Sequence, residues 1–348
     1  MHGFLAMSAA NILTSPYAVS TTSPGWIISK RDDLTWFIAS SAVGYAALLA
    51  LVAGFPILTA MLIWNLAIDG PHVFATASRT YFDKTARQRL GWRLWMIIPF
   101  AVVGPVLWSL GSGWLVFLAI SWAQYHVAKQ HLGFVMLYKR KTGEHCDVVL
   151  DKRFVVISLM LPWAIYFYRL LKIPGTQQIV FLVVLLYVGF VLFYVTHQIG
   201  KAFRGEVCNF PKLLLLSLVI PLHWIAFAYA STLPIAQGLL VAGIATNIGH
   251  SLQYQRLTWF HNRNRYAGVS RSTIGLASVV NSRLAVFLLT GIVLNLLFAA
   301  LPQYAMKGNH LLLSILIGAN LLHYYLDSII WRTRSDKELA IALRLTAN

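Results

Sequence analysis

Long apolar stretches alternate with short polar ones along the whole chain. About ten can be delimited: 35–53, 56–80, 92–110, 113–138, 154–171, 178–200, 211–230, 234–258, 282–301 and 309–331. Each has roughly the 20 residues an α-helix needs to cross the hydrocarbon of a bilayer. Breaker clusters such as Gly54-Phe55-Pro56, Gly111-Ser112-Gly113 and Pro174-Gly175 separate them. A membrane β-barrel would instead show short segments of alternating polarity. The expected fold is all-α, a polytopic membrane helical bundle of about ten transmembrane helices with no internal repeat. Residues 1–34 read as an irregular N-terminal segment, 35–332 as the transmembrane domain and 333–348 as a cytoplasmic tail. The first segment lacks a basic start and a cleavage site, so it does not read as a signal peptide. Pro16, Pro24 and neighbouring Ser and Thr suggest that it rests on the membrane surface.

Polar residues orient this bundle. Cations follow the even-numbered stretches: Arg79 to Arg93, Lys139 to Arg153, Lys201 to Lys212, Arg263 to Arg283, and Arg332 to Arg344. The opposite loops hold little more than Arg169, Lys172 and Lys307. Excess positive charge marks cytoplasmic loops, so both termini are expected in the cytoplasm. The expected location is a bacterial inner (plasma) membrane. The net charge of +17 is thereby a topology signal, and a nucleic-acid partner is not expected.

Composition sharpens the class. Only 11% of residues are charged and 58% are hydrophobic, whereas a soluble domain carries roughly a quarter charged residues. Cys146 and Cys208 fall in predicted cytoplasmic loops and form no CxxC motif, so neither a disulfide framework nor a cysteine metal site is implied.

Candidate chemistry comes from polar residues inside the spans. Asp69 precedes His72 by three residues, and Asp327 follows His323 by four. A carboxylate in hydrocarbon is costly and marks function by default. The spacing of His323 and Asp327 puts both on one helix face, as two ligands of one ion or as a ligand and the group that orients it. The bland alternative is a polar pair that holds the last helix in place. Asp69 and His72 flank Gly70-Pro71, and a proline kink in a membrane helix is tolerated where protein covers it or a cavity adjoins it.

His126, His131, His197 and His250 recur near the same ends of other spans. With His72 and His323 they lie on even-numbered stretches, about 6 to 20 Å below the cytoplasmic boundary at 1.5 Å per residue. His223 and His310 lie on other helices and are not expected at that level. His126 and His131 are about 140° apart on a regular helix, so they share one ion only across a π-bulge. Lys129, between them, either neutralises an acidic neighbour or head group, or snorkels to the interface. His250 is followed by Gln253 and Tyr254 on nearby faces. The expected metal set is His72, His126, His131, His197, His250, His323, Asp69 and Asp327, with Lys129 and Tyr254 as candidate catalytic residues. The basic and aromatic stretch Arg256 to Arg271 either caps the site or anchors the bundle at the membrane surface.

Imidazole and carboxylate ligands with open positions suit non-haem iron, and imidazole also suits zinc. Paired histidines hold haem in electron-transfer bundles. GxSxG and HExxH motifs are absent. The closely spaced HxxxH and HxxHH boxes of membrane fatty-acid desaturases and hydroxylases are absent as well, so likeness to them is one of kind. Pro71-His72 resembles an element of the bacterial beta-carotene dioxygenase (Brp/Blh) family, multi-span bundles with scattered iron-binding histidines, one of them after a proline. The resemblance implies an iron-dependent oxygenase with one or two non-haem ions and His323 as a further ligand. The expected partners are the lipid bilayer, a lipid-like substrate and an electron-donor protein. The rival readings are a proton- or metal-coupled transporter and a haem-binding electron-transfer protein.

Overall fold

The computed structural model describes residues 25–305, 309–333 and 336–345. Pro16, Pro24, Lys307 and Arg334 lie outside the described residues, as does most of the predicted N-terminal segment. Every described element is helical, and no strand occurs among the described residues. The long helices are α1 (Lys30–Val52), α2 (Ile57–Thr80), α3 (Lys84–Leu110), α4 (Ser112–Thr142), α5 (Val148–Leu170), α6 (Thr176–Phe203), α7 (Phe210–Ala230), α8 (Ile235–Tyr266), α9 (Leu284–Ala300) and α10 (His310–Ile330). Among the described residues, seven are long and apolar enough to cross a membrane: α1, α2, α3, α6, α7, α8 and α10. The remaining apolar stretches also fold as helices, α9 being the shorter apolar one.

Local chemistry sets the ends. Asn209 caps α7 by accepting from the Lys212 amide at 3.2 Å, with Pro211 in the first turn. Asn309 caps α10 through the Leu312 amide at 2.9 Å. Asp83 caps α3 by accepting from the amides of Thr85 and Ala86. Within α2 the backbone widens to a π-turn over Asn65–Asp69, just before Gly70-Pro71. Side-chain amides satisfy carbonyls there: Asn295 donates to Asn65 O at 2.9 Å, and Gln255 donates to Ile68 O at 2.7 Å. This is how a broken helix persists inside a bundle.

The chain forms two compact units. The first contains residues 65–123 and the described residues after 250. There α3 and α10 cross at Gly104 and Gly318. A Cβ on Gly104 would lie 1.9 Å from Ser314 O, and one on Gly318 would lie 2.2 Å from Phe100 O. Only glycine permits this approach, as is usual where membrane helices pack closely. Gly291 of α9 likewise lies against Pro71.

The second unit contains residues 25–64 and 124–250 among those described. Its floor is a buried network of three lysines and three carboxylates. The Lys212 ammonium lies 2.9 Å from Glu144 Oε1 and 3.3 Å from Asp151 Oδ2. Lys139 pairs with the same two acids, and Lys201 pairs with Glu144 and Asp147. Tyr194 donates to Asp151 Oδ1 at 2.7 Å. In the sequence these three lysines belong to the cation-rich flanks that mark the expected cytoplasmic loops. They are instead buried ion-pair partners that tie α4, α5, α6 and α7 together.

Carboxylate burial is also broader than the sequence suggests. Asp33, Asp83, Glu144 and Asp151 are buried, whereas Asp69 is only half-buried. Asp33 accepts from the amides of Ile27 and Ile28 at 2.7 and 3.0 Å. The four buried acids lie at a helix start or beside lysines, where a partner compensates the charge.

Candidate metal centre

Each unit builds its own group of histidines. In the first, His72 leaves α2 one residue after Pro71, and His323 lies on α10. Both are buried. Their ring centroids are 5.1 Å apart, nearly perpendicular, and each ring offers a nitrogen within 4.8 Å of the other. His323 donates Nδ1–H to Asn320 O at 2.6 Å, an assignment that follows because a carbonyl only accepts. That bond leaves Nε2 as the nitrogen with a lone pair to offer. Anchoring one ring nitrogen in this way is the usual means of orienting a metal-binding imidazole.

Tyr254 of α8 packs against His72 with ring centroids 4.6 Å apart. Its phenol donates to Asp327 Oδ1 at 2.5 Å, and Thr76 donates to the same oxygen at 2.8 Å. Trp331 Nε1 donates back to the Tyr254 oxygen at 3.2 Å. Asp327 therefore holds a hydroxyl pair. Arg79 lies over Trp331 at 4.0 Å and donates to Ile330 O at 2.6 Å, closing the group toward the end of α10. Asp69 lies 3.5 Å from the Ser251 hydroxyl.

In the second unit, His250 of α8 meets two histidines of α4. Its ring centroid is 5.1 Å from that of His126 and 6.3 Å from that of His131. The sequence reading needs a π-bulge for His126 and His131 to act together. α4 is a regular α-helix there, and the His250 ring contacts both. Gln130 donates to His250 O at 2.8 Å, fixing that stretch of α8 to α4.

His223 of α7 stands 6.1 Å from His131, ring to ring, although the sequence reading sets it at another level. The reason is the ionic floor. Lys139 and Lys212 share partners in one layer. His131 lies eight residues from Lys139 and His223 eleven from Lys212, about 12 and about 16 Å along their helices. The difference is less than one helical turn. Depth counted from that layer, rather than from the end of each apolar run, brings His223 to His131.

Two other expected residues sit elsewhere. Lys129 is exposed. His197 Nε2 lies 3.1 Å from Asp147 Oδ2 beside the ionic network and makes no ring contact with another histidine among the described residues. Glu144, Cys146 and Asp147 also bring ligand atoms together, but the Lys201 ammonium lies 3.0, 3.1 and 2.9 Å from them. A protein cation already fills that position. The Arg256 to Arg271 stretch is bound to protein as well: Arg265 pairs with Glu338 at 2.7 Å, and Tyr266 donates to Asp83 at 3.1 Å.

The chain matches no protein-family model, no curated protein and no solved structure. The residues fit a metal: buried imidazoles at ligand spacing, with His323 held in the tautomer that presents Nε2.

Proposed function

We propose that this protein is an integral-membrane, metal-dependent oxygenase that acts on a lipid-like substrate at the His72–His323 group. Its ten long helices serve as membrane crossings with both termini in the cytoplasm, in keeping with the cation pattern. The observation that carries the reading is the approach of His72 to His323, with the Tyr254–Asp327 hydrogen bond beside it.

His72 and His323 hold the ion. Bound iron supplies one-electron and dioxygen chemistry that amino-acid side chains lack. Asp327, itself held by Thr76, fixes the Tyr254 phenol against His72, so a phenol–carboxylate pair that shares a proton adjoins the site. The apolar surroundings exclude water and favour a substrate that arrives from the bilayer. An electron-donor protein on the cytoplasmic side completes the scheme. The Pro71-His72 resemblance to the beta-carotene dioxygenase family supports iron over zinc, and leaves the substrate open within the lipid-like class.

Metal analysis and the absorption spectrum of the purified protein test this reading. Iron without a Soret band is expected. A Soret band would point to haem, and metal-free protein that moves ions across vesicles would point to a carrier.

A further inference from the structure

We propose that the second unit carries a metal site of its own, built on His131 and His223 with His250 beside them, for a transition-metal ion that prefers nitrogen ligands. The proposal does not depend on the His72–His323 reading, because it uses different residues on different helices.

Both histidines are anchored in the same way. His131 donates Nδ1–H to Val127 O at 2.9 Å, and His223 donates Nδ1–H to Val219 O at 2.9 Å. Each carbonyl lies one turn back on the same helix, and each bond fixes the tautomer in which Nε2 carries no proton. His223 is 1% exposed, and its Nε2 has no hydrogen-bond partner among the described residues. A buried acceptor without a partner calls for an explanation, and a bound ion supplies one here.

The spacing suits an ion. Two imidazoles that share a metal at the usual ~2 Å nitrogen–metal distance have ring centroids about 5 Å apart at a tetrahedral angle and about 6.3 Å apart when they face each other across the ion. The 6.1 Å separation of His131 and His223 fits two rings on opposite sides of one ion, with His250 beside the pair at 6.3 Å from His131. The donors are neutral nitrogens, and no carboxylate bonds to His131 or His223 among the described residues. Such a set selects zinc, copper or nickel over magnesium or calcium, which require oxygen. The lysine–carboxylate floor beneath is internally paired and supplies no acid to the site.

The test uses the full chain in detergent, stripped of metal and titrated with Co(II) and Zn(II). A His72→Ala/His323→Ala variant should keep one tight site, and adding His131→Ala/His223→Ala should abolish it. Uptake that is the same with and without His131 and His223 would overturn the proposal. Because alanine at two buried positions can unfold the chain, His223→Cys gives an independent reading. Made in a Cys146→Ser/Cys208→Ser background, which removes the exposed native thiols, it should acquire on Co(II) binding a thiolate-to-cobalt charge-transfer band in the near ultraviolet that the same background with His223 lacks. Folded His223→Cys that binds Co(II) without that band would also overturn the proposal. Failure of the His72–His323 reading alone would instead show as oxygenase activity that persists when those two residues are replaced.

Discussion

Tyr254 donates its phenol hydrogen to Asp327 at 2.5 Å, joining α8 to α10 beside the His72 ring. The bond makes a buried carboxylate tolerable and places a hydroxyl at the candidate centre. Tyr254→Phe removes one of the two donors to Asp327 Oδ1 and leaves Thr76. Loss of a buried hydrogen bond to a charged group costs about 1.5–3 kcal/mol. A drop of several degrees in the melting temperature of detergent-solubilised protein is expected, together with strongly reduced turnover and retained metal. Full metal loss in Tyr254→Phe would mean that the tyrosine does more than orient.

His72→Ala and His323→Ala should each sharply lower iron bound to the first unit while the protein still inserts and purifies. His310→Ala should not, since that ring stacks on Trp108 with centroids 5.2 Å apart, apart from the histidine group. Equal iron content in all three variants would remove His72 and His323 from the ligand set.

The ionic floor should be the stability hub of the second unit. Lys212→Met takes away one cation and leaves Glu144 and Asp151 buried with less compensation. Breaking a buried pair from one side costs about 3–5 kcal/mol. The triple change Lys212→Met/Glu144→Gln/Asp151→Asn, which neutralises the network together, should recover part of that loss. A melting temperature unaffected by Lys212→Met would show that the network is not a stabilising core.

Acid should loosen the same region. Burial pushes the Glu144 carboxyl up, but hydrogen bonds and charge from Lys212, Lys201 and Lys139 outweigh it and bring its pKa down from the ordinary 4.5 to about 2. Asp147 is also pushed up by burial and brought down to about 2, here by Lys201 and His197. A carboxyl depressed in the folded state contributes stability that is fully present above its unfolded pKa and is lost as pH falls through the folded one. Unfolding of the second unit should therefore advance between about pH 4.5 and 2, and Glu144→Gln should flatten that dependence. A pH profile identical in wild type and Glu144→Gln would contradict this.

Much of this organisation is legible in the sequence, because bilayer-length apolar runs and their breakers translate directly into helices. His72, His323, Asp327 and Tyr254 stand out for the same reason, as polar groups in apolar surroundings. Register between helices is not legible. His223 looked misplaced because depth was counted from the ends of apolar runs, while α4 continues to Thr142 and enters the ionic layer. Lys139, Lys201 and Lys212 looked like flank cations because their acids come from a connection and from the start of α5. Thr76, Arg79 and Trp331 gave no signal, since a threonine, an arginine at a cytoplasmic flank and an interfacial tryptophan are ordinary in such chains.

The most direct measurement is iron content per chain of the purified wild type set against His72→Ala/His323→Ala. The account predicts near-stoichiometric iron without haem in the first and its loss in the second. Wild type that purifies and reconstitutes without taking up iron, or a double variant that holds as much of it, would contradict the assignment of a metal centre to His72 and His323.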